Sequence, residues 1–293
     1  MINDSIVISG KRATAHSYAK INLTLDVKDK RPDGYHNVEM IMQTVSLFDL
    51  ITVDKTNSGI SLSTNLYFLP NNEKNIAYKA ADLFFKHTEI NGGCKITINK
   101  NIPVSAGLAG GSGNAAAVLC ALNKLYDANM STEQLKALGV QLGADVPYCI
   151  TGRTFLSRGI GEILTPLPNM PKCTILLVKP PISVSTADIY NLMDSADIKN
   201  RPDTQKMISA IASGDILEIA NNISNIMEPV AESIHPIIKG IRNKMILNGA
   251  LGAGMSGSGA TVFGIFPDYE TAKKSHDSFA HQFKDVFIVS AVS

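Results

Sequence analysis

The sequence contains no tryptophan, only four cysteines and almost no excess of either charge. The cysteines form no C-x-x-C pair and the six histidines lack the spacing of a metal motif, which argues against a zinc site or a redox dithiol. We therefore predict that the cysteines are small buried hydrophobic residues: Cys94, Cys120, Cys149 and Cys173. Twenty-seven basic against 26 acidic residues give a net charge of +1, so no bulk field favours nucleic acid or an anionic membrane. A small molecule is the expected partner.

Long hydrophobic runs are also missing. No apolar stretch approaches membrane-spanning length, and the N-terminus lacks both the apolar core of a secretion signal and the arginines of a transit peptide. The 293 residues, 45% of them hydrophobic, are enough for one large or two medium domains. We expect a cytoplasmic protein with no membrane partner, as a monomer or a weak homodimer.

Strand and helix patterns alternate without a steady βαβ rhythm, which predicts an α+β fold rather than a doubly wound parallel sheet. Strands are predicted over 13–27, 41–53, 94–102, 174–178, 260–266 and 286–292. Helices are predicted over 75–86, 114–126, 131–142, 187–193 and 269–283. Residues 204–247 are predicted to be mostly helical, with interruptions at Gly214 and Pro229. Prolines between Leu164 and Cys173 suggest two domains, 1–168 and 169–293.

Glycine and serine are concentrated between Ile102 and Ala117, in the string I-P-V-S-A-G-L-A-G-G-S-G-N-A-A-A. A backbone that wraps around phosphate oxygens needs glycine, because a Cβ would block the approach and because several residues must reach positive φ. We predict that four glycines supply this freedom: Gly107, Gly110, Gly111 and Gly113. A helix beginning near Ser112 would point its N–H groups and dipole at an anion. The stretch therefore predicts a phosphate site for a nucleotide.

Other nucleotide motifs fit less well. The P-loop string G-x-x-x-x-G-K-[ST] occurs nowhere in the chain. Residues Gly252–Gly257 spell G-x-G-x-x-G, but a dinucleotide fingerprint must follow a strand and open a helix. Here a helical pattern precedes the string and a strand pattern follows it. A turn that tightens near the first glycine-rich stretch is favoured, and a purely structural turn remains open.

Three segments together resemble the superfamily of galactokinase, homoserine kinase, mevalonate kinase and phosphomevalonate kinase, the GHMP kinases. Pro103–Ala116 is similar to its phosphate-binding motif, Gly252–Gly259 to its C-terminal glycine motif and Tyr18–Leu23 to its N-terminal motif. Four strings resemble, in order, the kinases of this superfamily that act on 4-diphosphocytidyl-2-C-methyl-D-erythritol: K-I-N-L from Lys20, R-P-D-G-Y-H from Arg31, G-A-D-V-P from Gly143 and G-I-G-E from Gly159. This set spans nearly the whole chain.

The resemblance implies ATP-dependent phosphorylation of the substrate's 2-hydroxyl in the non-mevalonate isoprenoid pathway, with ATP and Mg²⁺. It implies a two-domain GHMP-kinase-like fold with a ligand cleft between the domains. Asp145 would be the base at the acceptor hydroxyl, and Lys20 would contact this carboxylate and the transferred phosphoryl group. Residues expected to bind ATP are Pro103, Ser105, Ala106, Gly107, Leu108, Ala109, Gly110, Gly111, Ser112, Gly113 and Asn75. Ser112 is the candidate metal ligand, and 75–77 and 95–100 are expected near the adenosine.

For the acceptor, the resemblance implies that Tyr35 stacks on the cytosine, with Tyr190 on the opposite face. His36 would bind the cytosine edge and Asn22 the diphosphate or erythritol part. Thr186, Ile160 and Gly257 complete the expected substrate site. The string from Arg31 to His36 is itself a turn signature that would place an aromatic ring and an imidazole at a loop tip.

The residues alone leave other readings open. Without the resemblance, spacing favours a capping carboxylate for Asp145, a solvated lysine for Lys20 and half-buried surface rings for the two tyrosines, while Ser112 is equally an N-cap. Two positions depart from the superfamily pattern, since Ser105 stands where glycine or alanine is usual and Gly113 where a second serine is usual. Alternative functions are a homoserine- or mevalonate-type kinase, a non-catalytic nucleotide-binding sensor and a nicotinamide-dependent oxidoreductase.

Overall fold

The structure is a computed structural model that describes residues 2–194 and 200–293. Contacts divide the chain into two compact units. The first unit comprises residues up to 19, 47–104 and 109–152, and the second unit comprises 20–46, 105–108 and 153–293. Because two long strands each contribute residues to both units, the units are not continuous in sequence. The sequence-based division at residue 168 stays a prediction.

The first unit combines a sheet with helices. Its strands are β1 (Val7–Ser9), the beginning of β2 (Arg12–Lys30), the end of β3 (His36–Thr56), β4 (Gly59–Thr64) and β5 (Gly93–Asn99). β5 pairs antiparallel with β3 and parallel with β4. The helices are α1 (Ile2–Ser5), α2 (Ile76–Thr88), α3 (Gly110–Leu125), α4 (Thr132–Val140) and α5 (Val146–Thr151). The alanine-rich α3 is buried along most of its length and packs against α2, α4 and α5.

The second unit contains the rest of β2 and β3, which pair with β9 (Ser224–Asn225) and β6 (Thr154–Arg158), and β6 forms a hairpin with β7 (Ile163–Pro166). A separate antiparallel sheet has the order β10 (Gly252–Met255), β11 (Val262–Phe266), β8 (Thr174–Lys179), β12 (Asp285–Ser290). The helices of the second unit are α6 (Thr186–Met193), α7 (Thr204–Ser213), α8 (Ile216–Asn221), α9 (Glu228–Ile234), α10 (Ile237–Leu247) and α11 (Tyr269–Ala280). The last two helices pack on this sheet.

The α+β prediction is confirmed, and two local predictions are wrong. Pro229 does not interrupt a helix but lies in the first turn of α9, where a missing N–H costs nothing. Beyond Gly214 the helices are interrupted instead over 222–227, which include β9, and over 235–236, where Pro236 is the N-cap of α10. The glycine-rich string from Gly252 is not all turn, because its first four residues form β10 and pair with β11.

The four cysteines are free and buried, as predicted. Burial raises the pKa of Cys94 and Cys120 to about 12 and that of Cys173 to about 11, so these thiols stay protonated and inert. Within the described residues, no helix is long and apolar enough to cross a membrane.

Candidate active site

Helix α3 begins without a side-chain cap. Its N-cap residue, Ala109, has a φ of 55° in the left-handed region, and no side chain caps the first turn. Gly110, Gly111 and Ser112 form the first turn of α3, and no side chain caps their backbone N–H groups. The helix dipole favours an anion at this end of the helix. Ser112 lies in the third helical position and is not the N-cap, so the capping interpretation of this serine is wrong. The geometry fits a phosphate group.

Most glycines between Ile102 and Ala117 either adopt a positive φ or leave space for a neighbouring side chain. The prediction of a positive φ is correct only for Gly107. Gly107 has a φ of 71°, but the other positive φ angles belong to Ser105 and Ala109. The remaining three glycines lie in α3 with helical geometry, so the prediction that they supply positive φ is wrong. Two of them leave space instead. A Cβ on Gly110 would lie 2.8 Å from Lys100 Nζ, and one on Gly113 would lie 2.5 Å from Ser17 Oγ.

The contact at Gly113 explains one departure from the superfamily pattern. The Ser17 hydroxyl fills the volume that a side chain at position 113 would need. When its amide is oriented to satisfy both terminal atoms, Asn114 donates to Ser17 Oγ, to the Gly110 carbonyl and to Asp49 Oδ2. A serine at position 113 would therefore displace a buried hydroxyl that belongs to a hydrogen-bond network.

A buried ion pair lies behind the first turn of α3. Lys100 Nζ donates to Asp49 Oδ2 at 2.7 Å and to the Ile102 carbonyl at 2.6 Å. Asp49 Oδ1 accepts the backbone N–H groups of Asn101 and Ile102. Burial lowers the pKa of Lys100, whereas the charge and hydrogen bond of the Asp49 carboxylate raise that pKa. The pair fixes the strand end that leads into the glycine-rich stretch.

The other predicted residues of the first unit are placed as follows. Asp145 is the N-cap of α5 and partly exposed, yet its side chain makes no capping hydrogen bond, so the capping interpretation is not supported. Asn75 caps α2, with Oδ1 accepting from Ala77 N and Nδ2 donating to the Pro70 carbonyl. Its two amide atoms are thus used by the backbone. Pro103 is half-buried, just before the loop.

In the second unit, Lys20 and Asn22 lie side by side on β2. Lys20 is 5% exposed, and its Nζ donates to Asn22 Oδ1 at 2.5 Å. The solvated-lysine interpretation is therefore wrong. A Cβ on Gly257 would lie 3.2 Å from Lys20 Nζ, so the glycine leaves room beside the ammonium group. The backbone N–H of Lys20 donates to the Leu108 carbonyl at 3.2 Å.

The second glycine motif contacts the segment 105–108. Ser256 Oγ donates to the Gly107 carbonyl at 2.9 Å. Asn225 Nδ2 donates to the carbonyls of Met255 and Gly257, at 2.8 Å each. The predicted turn beside the first glycine-rich stretch is confirmed for residues 256–261, which follow β10. The dinucleotide interpretation is excluded because the string begins as a strand and is followed by the strand β11 rather than by a helix.

The hairpin tip between β2 and β3 carries the predicted aromatic ring and imidazole. Arg31 N donates to the Tyr35 carbonyl, and the Arg31 guanidinium pairs with Asp33 at 2.8 Å. Tyr35 is 60% exposed. His36 stacks on Tyr190 of α6, with ring centroids 4.9 Å apart and planes 16° apart. One face of Tyr190 is thus covered by the imidazole, which the sequence did not predict.

Two further predicted residues lie in the second unit. Thr186 begins α6, and its Oγ1 lies 2.8 Å from Ser258 Oγ. Ile160 lies in the turn between β6 and β7, where its N–H donates to Glu162 Oε2 at 2.7 Å. Several residues that the sequence did not single out contact the predicted site residues or the partners of those residues: Ser17, Lys30, Asp49, Asp194, Asn225, Ser256 and Ser258. Only Ser256 and Ser258 had a signal, since they lie inside the second glycine motif.

A magnesium ion bound to ATP needs few protein ligands, because phosphate oxygens and water fill most of its octahedral shell. Among residues 2–194 and 200–293, no three His, Cys, Asp or Glu side chains form a metal-binding group. The hydroxyl of Ser112 at the first turn of α3 is an oxygen donor of the required kind. The residues present therefore fit a metal held mainly by the nucleotide.

A matched pair of glycine substitutions tests whether position 107 requires glycine, for its positive φ and for its close approach to Ser256. Gly107→Ala should lower the free energy of unfolding by about 2–4 kcal/mol, because Ala is strained at φ 71° and its Cβ would lie 2.1 Å from the Ser256 carbonyl oxygen. Gly111→Ala should leave stability unchanged or raise it by up to about 1 kcal/mol, because at this helical site the added Cβ would make only an ordinary contact, 3.6 Å from Ile76 Cγ2. Urea unfolding of both variants measures the difference. Equal losses would contradict it.

Comparisons with known proteins identify the family of the chain. The family described as "GHMP kinases N terminal domain" matches residues 75–153, and "GHMP kinases C terminal" matches 207–285. The 4-diphosphocytidyl-2-C-methyl-D-erythritol kinase of Alkaliphilus metalliredigens is 47% identical, covering 97% of this chain and 98% of its own. That of Alkaliphilus oremlandii is 50% identical, covering 95% and 96% respectively.

Among solved structures, a crystal structure of 4-(cytidine 5′-diphospho)-2C-methyl-D-erythritol kinase superposes with a TM-score of 0.83. The two sequences are 32% identical, and the match covers 96% of this chain and 99% of the other. The fold is therefore that of the GHMP kinases, as the glycine motifs predicted. The chain belongs to the 4-diphosphocytidyl-2-C-methyl-D-erythritol kinase family.

Proposed function

We propose that this kinase transfers the γ-phosphoryl group of ATP to the 2-hydroxyl of 4-diphosphocytidyl-2-C-methyl-D-erythritol. The observation that carries the proposal is the uncapped first turn of α3 in a chain that is 47–50% identical, over nearly its whole length, to relatives named for this substrate. The anion-binding geometry suits the phosphates of ATP. The relatives identify the acceptor.

Phosphoryl transfer passes through a loose transition state with little covalent help from the protein. The enzyme therefore mainly has to position the two substrates and neutralise charge on the transferred phosphoryl group. Asp145 is proposed to take the proton of the attacking hydroxyl, late in the transfer. Its carboxylate makes no capping bond to α5. Lys20 is proposed to neutralise charge on the moving phosphoryl group. Its buried ammonium is oriented by Asn22, so little reorganisation is needed.

We propose that the hydroxyl of Ser112 would hold the Mg²⁺ that accompanies ATP. When bound, the metal neutralises charge on the phosphoryl oxygens. The first-turn amides of Gly110 and Gly111 contribute in the same sense, since they donate to phosphate oxygens and keep the triphosphate in one orientation. The segment from Ser105 to Leu108 completes the proposed loop.

For the acceptor, we propose that Tyr35 stacks on the cytosine and that His36 binds its edge. The exposed ring of Tyr35 supports this, because base stacking on an aromatic ring contributes about 1–3 kcal/mol. Tyr190 is proposed for the opposite face of the base. The remaining proposed contacts of the substrate are Asn22, Ile160, Thr186 and Gly257.

For the adenosine, residues 75–77 and 95–100 remain the proposed neighbours. We further propose a cytoplasmic enzyme that acts as a monomer or a weak homodimer. Gel filtration with light scattering tests the last point.

A substrate panel tests the proposed function. ADP release is measured with ATP, Mg²⁺ and one of three alcohols: 4-diphosphocytidyl-2-C-methyl-D-erythritol, homoserine or mevalonate. We expect turnover with the cytidyl substrate, and ³¹P NMR should show a new phosphomonoester on its 2-hydroxyl. Turnover with homoserine or mevalonate instead would assign the chain to a sister reaction. ATP binding with no turnover on any alcohol would favour a sensor.

A further inference from the structure

The imidazole of His36 is fixed by a carboxylate outside all the motifs. Its Nε2 lies 2.7 Å from Oδ1 of Asp194, the residue that ends α6. The second carboxylate oxygen, Oδ2, accepts from Lys30 Nζ at 2.5 Å. These groups and Tyr190, which stacks on the imidazole, all belong to the second unit. The ring of His36 is therefore held both in position and in plane.

This arrangement decides which ring nitrogen carries the proton. An ionised carboxylate only accepts hydrogen bonds, so the His36 nitrogen facing it must carry hydrogen. Hydrogen bonds from Lys30 and then His36 lower the pKa of Asp194, which keeps it ionised at neutral pH. In a neutral imidazole with hydrogen on Nε2, the other nitrogen is an acceptor. Whenever the ring of His36 is neutral, Nδ1 thus offers a lone pair.

We propose that Asp194 is a positioning residue that sets the His36 tautomer, so that Nδ1 selects a pyrimidine with an exocyclic amino group over one with a carbonyl. Cytosine presents the N4 amino donor at this edge, whereas uracil presents the O4 acceptor. With uracil, the O4 oxygen would face the Nδ1 lone pair of His36, and two acceptors that face each other repel. A buried acceptor that lacks a donor also lowers the binding affinity. The inference rests on the proposed function, because it refines how the same site recognises its cytidyl substrate.

The expected effect is on selectivity rather than on the chemical step. The intact protein should bind cytidine 5′-diphosphate about 10–100-fold more tightly than uridine 5′-diphosphate, in line with the cost of one unpaired buried polar group. Without the carboxylate, both tautomers of His36 become populated. The preference should then fall about tenfold, while kcat with the cytidyl substrate stays within about twofold and KM rises.

The experiment compares Asp194→Ala with Asp188→Ala, an exposed aspartate on the same helix. Calorimetric titration with the two nucleoside diphosphates gives the selectivity, steady-state kinetics give KM and kcat, and ¹⁵N NMR of the histidines reports the tautomer. We expect hydrogen on Nε2 in the intact protein and a mixture in Asp194→Ala, with Asp188→Ala unchanged.

Unchanged selectivity in Asp194→Ala, or hydrogen on Nδ1 in the intact protein, would overturn the inference. A fall in kcat without a change in selectivity would also overturn it, because it would indicate a general structural role. The outcome is separable from that of the proposed function, since the binding and NMR readouts need no turnover. A protein that binds cytidine 5′-diphosphate selectively but phosphorylates no cytidyl alcohol would refute the reaction and keep the inference.

Discussion

Asp145→Asn is expected to lower kcat by about two to four orders of magnitude, the contribution typical of a positioned general base. Asparagine keeps the size of the side chain but cannot take the proton of the acceptor hydroxyl. Because Asp145 makes no capping bond in α5, the substitution should leave the helix and the overall stability intact. Steady-state kinetics with the cytidyl substrate measure the loss, and titration with an ATP analogue shows whether nucleotide binding survives.

Asp82→Asn is the matched control for Asp145→Asn. Asp82 is an aspartate of the same unit, on α2, and its only described ion pair is with Lys86, four residues along the helix. The kcat of Asp82→Asn should equal that of the unaltered protein. If Asp145→Asn retained full turnover, a base at this position would be excluded. If nucleotide binding were lost together with turnover, Asp145 would act through the ATP site instead.

Asp49→Ala is expected to lower the free energy of unfolding by about 3–5 kcal/mol, the cost of removing one partner of a buried ion pair. Asp49 is fully buried, and its loss would leave the ammonium group of Lys100 without its carboxylate. The backbone N–H groups of Asn101 and Ile102 would also lose their acceptor. Urea or thermal unfolding measures the change.

The control for Asp49→Ala is Asp82→Ala, which breaks the exposed pair with Lys86. Such a pair contributes only about 0.3–0.5 kcal/mol. A comparable loss in the two variants would contradict the buried-pair argument. Asp49 also contacts Asn114, which donates to the Gly110 carbonyl at the start of α3. The KM for ATP should therefore rise in Asp49→Ala and stay constant in Asp82→Ala.

Elements set by local interactions were predicted well from the sequence. Helix α4 begins within one residue of the predicted start at 131, because Ser131 and Gln134 form a capping box between neighbouring residues. Helix α2 likewise begins after Asn75, whose side chain caps it. The start of α3 was predicted too late, near Ser112 and with a helical pattern from 114, because Ala109 adopts a left-handed conformation that no local preference for alanine predicts.

Residues that act across long sequence separations could not be predicted. Asp49 and Lys100 are 51 positions apart, and His36 and Asp194 are 158 apart. Charged residues at such distances carry no periodic or motif signal, so only folding shows that they pair. The glycine motifs were recognisable because close backbone approach restricts some of their positions to glycine, as at Gly107 beside Ser256.

The most direct test of the phosphate site is an NMR titration of ¹⁵N-labelled protein with a non-hydrolysable ATP analogue and Mg²⁺. The amide signals of Gly110, Gly111 and Ser112 should shift most, because their N–H groups would donate to phosphate oxygens. Those of the first turn of α11, which Asp268 caps, should stay in place. Saturation by the analogue with the three α3 amides unmoved would contradict the assignment of this turn as the ATP phosphate site.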